Sequence, residues 1–182
     1  MVNRTLKRRI VAACFVAVSA MSAPFSASAA SDPVRSLGDD VACALSMPAS
    51  LTRHRSATLI LTLHNRGEHT VAILKRNTPM EGWLADSLVV EHNGKAQPYI
   101  GAMAKRMPPE ASEYLRLKPG MSKRFRVPLQ HAYDVSVQGQ YRVSWNGVLM
   151  DAQVVRVPRQ RINVATLVST SIVCASIAFE RR

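Results

Sequence analysis

The amino-acid sequence predicts an all-β protein, an antiparallel β-sandwich of immunoglobulin type with seven to nine short strands. Three observations point there. Apolar residues alternate at period two in several short runs: Leu59, Leu61 and Leu63; Phe125, Val127 and Leu129; Tyr141, Val143 and Trp145. Turn-forming dipeptides, Asn93-Gly94, Pro119-Gly120 and Asn146-Gly147, separate the runs. No stretch keeps a helical period with caps at its ends. A closed barrel is the alternative that this pattern leaves open.

The elements follow in order. Val41 to Ser46 is a brief apolar run. Residues 57–65, ATLILTLHN, put three leucines on one face and Thr58 and Thr62 on the other, the pattern of a half-buried strand. Asn65-Arg66-Gly67 turns the chain into a short strand, Val71 to Leu74. Ser87 to His92 leads into Asn93-Gly94, with Ala96 to Ile100 as the return strand. Gly101 to Ser112 is irregular. Tyr114, Leu115 and Leu117 precede the Pro119-Gly120 turn. Tyr141, two residues after Gly139, stands where immunoglobulin-like folds place a tyrosine corner. Asn146-Gly147 turns into Val148 to Val157, and a basic link covers Arg156 to Arg161. Val164 to Phe179 is taken as the last strand. At 16 residues, rich in β-branched side chains and with five Ser or Thr, it is short for a membrane anchor.

The first thirty residues have a different logic. Arg4, Lys7, Arg8 and Arg9 precede an apolar run, Ile10 to Ala20, and a small-residue stretch, Ser26-Ala27-Ser28-Ala29-Ala30. That order is the signature of a secretory signal peptide, and the run is too short for a membrane anchor. The expected organisation is a signal over residues 1–30, a loose leader over 31–40 and the β domain over 41–182. Location is then periplasmic or extracellular. Removing the signal takes away four of the 24 basic residues and none of the 12 acidic ones, so the mature chain keeps a charge of +8. For an exported protein such a surface suits an acidic protein, an anionic polymer or a membrane surface, not nucleic acid; a merely soluble basic surface accounts for it equally well. Cys14 leaves with the signal. Cys43 and Cys174 remain, and an oxidising compartment favours their pairing. The sequence separation of 131 corresponds to about 5 kcal/mol of loop-closure stabilisation on the chain-entropy model.

Catalytic chemistry is hard to find. The histidines are His54, His64, His69, His92 and His131, and none forms an HExxH arrangement. His64 and His69 flank a turn, where a solvated hairpin end is a simpler reading than a metal site. No glycine-rich phosphate loop and no G-x-S-x-G elbow is present. With the cysteines paired no thiol nucleophile is left. Neither a metal nor a cofactor is implied.

The middle of the chain is more distinctive. Residues 77–82 read NTPMEG and residues 98–109 read PYIGAMAKRMPP. Glu113-Tyr114-Leu115, Leu117-Lys118-Pro119-Gly120 and Tyr133-Asp134-x-Ser136-x-x-Gly139-x-Tyr141-x-Val143 follow. Together these resemble the N-terminal prodomain of deuterolysin-type zinc metallopeptidases, the aspzincins that include peptidyl-Lys metalloendopeptidases. Asn77, Thr78, Pro79, Glu81 and Gly82 match one family motif; Tyr99, Gly101, Lys105 and Arg106 match another. The resemblance spans about residues 41–179. In that family a helical catalytic domain with HExxH and a downstream Asp ligand follows the prodomain, and neither feature occurs in this sequence.

The resemblance therefore implies a non-enzyme: an exported binding module that acts in trans on a zinc metallopeptidase, as inhibitor or folding assistant. Asn77, Thr78, Pro79, Tyr99, Lys105 and Arg106 are the candidate contacts. Asn77-Thr78-Pro79 also reads as a loop-shaping unit, and Tyr99 and Trp83 also read as core. The alternative function is an immunoglobulin-like module that binds another protein or an anionic surface polymer.

Overall fold

The computed structural model describes residues 37–157 and 159–182. The expected signal segment and residues 31–36 of the expected leader lie outside the described residues. One helical turn, Leu37–Asp40, leads into β1 (Val41–Ser46). Then come β2 (Ser50–Leu51), β3 (Thr58–Asn65), β4 (Thr70–Leu74), β5 (Leu88–His92), β6 (Lys95–Ala96) and β7 (Tyr114–Leu117). After them follow β8 (Ser122–Pro128), β9 (Gly139–Trp145), β10 (Val148–Leu149), β11 (Ala152–Val155), β12 (Thr170–Ser171) and β13 (Ile177–Arg181). The described strands exceed the expected seven to nine because four of them are only two residues long.

Two layers enclose the core. One contains the sheet β1-β3-β8 and the sheet β11-β4-β7; the other is the five-stranded sheet β2-β13-β9-β5-β6. All described pairings are antiparallel except β2 with β13. Leu59, Leu61 and Leu63 of β3 are fully buried and join one apolar cluster with Val90 of β5, Tyr141 and Val143 of β9 and Phe179 of β13. The period-two leucines thus face the opposite sheet, which makes the molecule a β-sandwich. The Tyr141 hydroxyl donates to the Val137 carbonyl at 2.9 Å, the tyrosine-corner bond of immunoglobulin-like folds. The Tyr141 ring stacks on Phe179 at 4.9 Å and on His92 at 4.6 Å.

β3 runs on into β4, and β7 into β8, with both breaks at the same place. Buried Asn65 fills the joint. Its Nδ2 donates to the carbonyls of His69 and Leu117, each at 2.8 Å, and its Oδ1 accepts from the Gly67 amide at 2.9 Å. All three hydrogen-bonding positions serve the joint, so a buried polar side chain is tolerated there. The sheet β11-β4-β7 is buried on both faces: Val71, Ile73 and Leu117 belong to the main core, Ala72, Leu74, Tyr114 and Val155 to a second cluster.

Three sequence expectations change. The return strand expected over Ala96 to Ile100 is only Lys95–Ala96, because Pro98 has no N–H to donate and Ile100 instead bonds the Ala132 carbonyl. The Asn146-Gly147 turn does not fold β10 back on β9; β10 pairs with β12. The segment Val164 to Phe179 is not one strand. Its regular end is β13, which extends to Arg181. Before it, β12 makes a two-residue ladder with β10, and side chains hold the flanking backbone: Asp151 Oδ1 accepts from the Val168 amide at 2.8 Å, Ser169 Oγ donates to the Leu149 carbonyl, and Gln153 Nε2 donates to the carbonyl of Asn163, the residue just ahead of the segment. Among the described residues no helix is long and apolar enough to cross a membrane.

Cys43 of β1 and Cys174 are joined by a disulfide with Cα atoms 5.0 Å apart. Cys174 lies just before β13, not on it, so the bridge ties β1 to the connection that enters the last strand.

Candidate functional site

The two sequence motifs of the middle region meet on one surface. After β4, Asn77 takes the left-handed conformation with φ 54°. The Thr78 hydroxyl donates to the Lys75 carbonyl at 2.5 Å and accepts from the Met80 amide at 3.2 Å, capping a 3-10 turn, Pro79–Glu81. Thr78, Pro79 and Met80 are buried and Asn77 is exposed. The turn swings Glu81 back so that its Oε2 accepts from the Asn77 amide at 3.1 Å.

Glu81 then receives the second motif. Arg106 reaches it with both terminal nitrogens, Nη1 to Oε1 and Nη2 to Oε2, and Nη2 also donates to the Leu84 carbonyl at 3.1 Å. A second pair lies alongside. Arg76 donates from Nε and Nη2 to the two oxygens of Glu113 at 2.7 and 2.6 Å. Its remaining N–H groups reach the carbonyls of Met107 at 2.5 Å and Pro108 at 3.3 Å. Glu113 also accepts from the Glu110 amide at 2.7 Å. These bonds to Arg76 and Glu110 hold the Glu113 carboxyl below the usual carboxylate range, and the same pair raises the Arg76 guanidinium. Two forked arginine–carboxylate pairs thus fasten the irregular stretch 101–113 to the NTPMEG turn, through Glu81, and to Arg76 just before it.

Tyr99 supports the start of this stretch. Its hydroxyl donates to the Ala102 carbonyl at 2.8 Å, and its ring meets Tyr133 edge-on at 5.6 Å. Trp83 meets the same Tyr133 edge-on at 5.8 Å. The Tyr133 hydroxyl lies 2.6 Å from Asp86 Oδ1 and 2.8 Å from the Leu88 carbonyl. Burial above all, with the Asp86 bond, pushes its ionisation well above the ordinary tyrosine range.

Of the six candidate contacts, Asn77 and Lys105 are exposed, Asn77 with its Nδ2 donating to Met150 Sδ at 3.1 Å, Tyr99 is half-buried, and Thr78 and Pro79 shape the turn from inside. Arg106 is committed to Glu81. Lys105 has no ion pair among the described residues. Two neighbours in sequence are exposed apolar side chains: Met103 is 72% exposed and Met107 78%. Sequence reasoning missed Arg76 and the exposed methionines. A signal for the latter was present in the spacing Met103-x-Lys105-x-Met107 between Gly101 and Pro108. Nothing local marks Arg76 as a clamp. His64 is occupied structurally, with Nδ1 2.9 Å from Ser122 Oγ. Among the described residues no three His, Cys, Asp or Glu side chains come together as a metal would require.

No family model matches the chain. It is 36% identical over 107 residues to an extracellular protease of Aeromonas hydrophila, a stretch covering 57% of this chain and 31% of that protein. The chain therefore spans about a third of the length of the curated relative it matches. Among solved structures, a CARDB domain from Pyrococcus furiosus aligns with 78% of this chain and 94% of its own at 14% identity, with a TM-score of 0.34, too loose a likeness to bear on the architecture. The disulfide and the likeness to an extracellular protein are compatible with export.

Proposed function

We propose that this protein is an exported, non-catalytic module that docks on an extracellular zinc metallopeptidase in trans, as its inhibitor or folding assistant, through the clamped stretch 101–109. The observation that carries this reading is the pairing of rigidity with exposure. Arg76 and Arg106 hold residues 106–108 just after Lys105, and the Ala104 amide, bonded to the Leu84 carbonyl at 3.0 Å, holds the residue before it, while Lys105, Met103 and Met107 remain in solvent. A loop ordered before docking loses little entropy on binding. Exposed methionines adapt to an apolar rim, and one free ammonium group suits a pocket built for a basic substrate side chain. The likeness to an extracellular protease supports the choice of partner class.

The roles of the two basic residues divide. Lys105 is the inserted side chain and Arg106 keeps the loop in shape, so Lys105→Ala is the clean test. Titrated against a deuterolysin-type peptidase, it should weaken binding by about 2 kcal/mol or more, roughly thirtyfold. Unchanged affinity in a folded variant removes the loop from the interface.

One observation favours the second reading. Lys123, Arg124 and Arg126 of β8 are exposed and have no ion pair among the described residues, and β8 is an edge strand. Such a row holds an anionic polymer by charge. Salt-sensitive retention on a polyanion, with no peptidase binding, would select this alternative.

A further inference from the structure

β13 reaches Arg181 opposite Leu51 of β2 and Gly139 of β9. Arg181 is only 4% exposed. Its Nε donates to the Val135 carbonyl at 2.9 Å, and its Nη1 donates to the carbonyls of Thr52 at 3.0 Å and Arg55 at 2.7 Å. The turn after β2 is thereby wrapped around the guanidinium. Among the described residues no carboxylate pairs with Arg181. Nη2 makes no hydrogen bond among them either. A buried cation without a counter-charge is costly, and carbonyl dipoles offset only part of that cost.

Arg181 is part of the wall of an open cleft of about 590 Å³. Arg53, His54 and Arg55, all exposed, line the same cleft. Neither Arg53 nor Arg55 has an ion pair among the described residues. Among the described residues the one acid in the lining is Asp134. Its Oδ1 is taken by the Ser136 amide at 3.1 Å and the Ser136 hydroxyl at 2.6 Å. Three arginines against one aspartate leave the cleft with a formal charge of +2, histidine neutral. Like charges gathered without partners repel, and a bound anion would relieve them.

We propose that this cleft binds a phosphate group, free or as the monoester end of a larger molecule. Arg181 supplies a fixed N–H at the base, and Arg53 and Arg55 close over the oxygens from the turn. The chemistry favours phosphate over a lone carboxylate on two grounds. A phosphate dianion matches the +2 lining in charge. Its tetrahedral oxygens accept from several guanidinium forks at once, where one carboxylate is saturated by a single fork.

The site goes beyond the peptidase reading, and its test involves no peptidase. The full chain is titrated by calorimetry with inorganic phosphate and with glycerol 3-phosphate, at fixed ionic strength set by chloride. The expected result is saturable binding of one phosphate group per chain, with acetate inert. Tighter binding of glycerol 3-phosphate identifies a monoester as the natural form; tighter binding of inorganic phosphate identifies the free ion. The double variant Arg53→Gln/Arg55→Gln lies wholly on the exposed turn. It should retain the wild-type unfolding transition and lose at least tenfold in affinity. The proposal is overturned if neither ligand binds more than chloride does, or if the folded double variant binds as tightly as the wild type.

Discussion

Replacing Arg76 by Ala tests the idea that the docking stretch is held and not merely adjacent. The side chain of Arg76 is 10% exposed and that of Glu113 30%. Arg76→Ala deletes two charge-assisted bonds to Glu113 and the bonds to the Met107 and Pro108 carbonyls. Cutting one partner from a fully buried pair costs about 3–5 kcal/mol. This pair is not fully buried. Glu113 keeps the Glu110 amide and is partly open to solvent, and Met107 and Pro108, which carry the two carbonyls, are both exposed, so both groups rehydrate. The expected cost is therefore about 2–3 kcal/mol, discounted for solvent screening. Most of it should appear as local opening of residues 101–113, because the sandwich core does not depend on this contact. Trypsin reads that opening directly, since Lys105 and Arg106 lie inside the clamp. Where cleavage tracks the open population, 2 kcal/mol corresponds to roughly a thirtyfold faster cut at these two residues. The urea transition of the remainder should move far less. If Arg76→Ala leaves the cleavage rate within a factor of two of wild type, the clamp does not order the loop and the case for a rigid docking element fails.

The Glu113 carboxyl has a folded pKa below its unfolded value of about 4.3, so its stabilisation is complete above that value and is lost as pH falls through the folded pKa. Hydrogen exchange at the Glu110 amide, which bonds Glu113, should therefore lose protection only in acid below the ordinary carboxylate range; protection lost near neutrality contradicts the assignment. Gly147 has φ 70°, and an added Cβ would meet the Ile172 carbonyl oxygen at 1.9 Å. Gly147→Ala should destabilise by more than about 2 kcal/mol in urea unfolding, because a backbone atom cannot step aside as a side chain can. Replacing Cys43 and Cys174 by Ala should lower stability by about 2–5 kcal/mol, and free-thiol titration of the denatured, unreduced wild type should find no reactive thiol from this pair.

What the sequence determined by itself is what neighbouring residues encode. Leu59, Leu61 and Leu63 had to share a face, because side chains alternate along any strand, and all three are fully buried. Tyr141 had a local acceptor four residues upstream, and its corner formed. Asn93-Gly94 turned as its type requires, both residues at positive φ. Cys43 and Cys174 were legible as a pair because the sequence has three cysteines and the third, Cys14, falls in the expected signal segment. The candidate surface was half legible: the motif loops were singled out, but the division of labour within them was not. Arg106 and Lys105 are adjacent and chemically alike, and nothing local says that one is bound to Glu81, 25 residues away, while the other is free. Arg76 finds Glu113 across 37 residues, and Arg181 finds the Thr52 carbonyl across 129. The course of residues 163–176 depended on Gln153 reaching the Asn163 backbone and Asp151 the Val168 amide, which an apolar count along the segment could not register. Periodicity and turn chemistry act over two to four residues and survive in the sequence. Ion pairs, buried charges and the need for Gly147 arise only when distant segments are brought within hydrogen-bonding distance, and that proximity is a property of the tertiary fold.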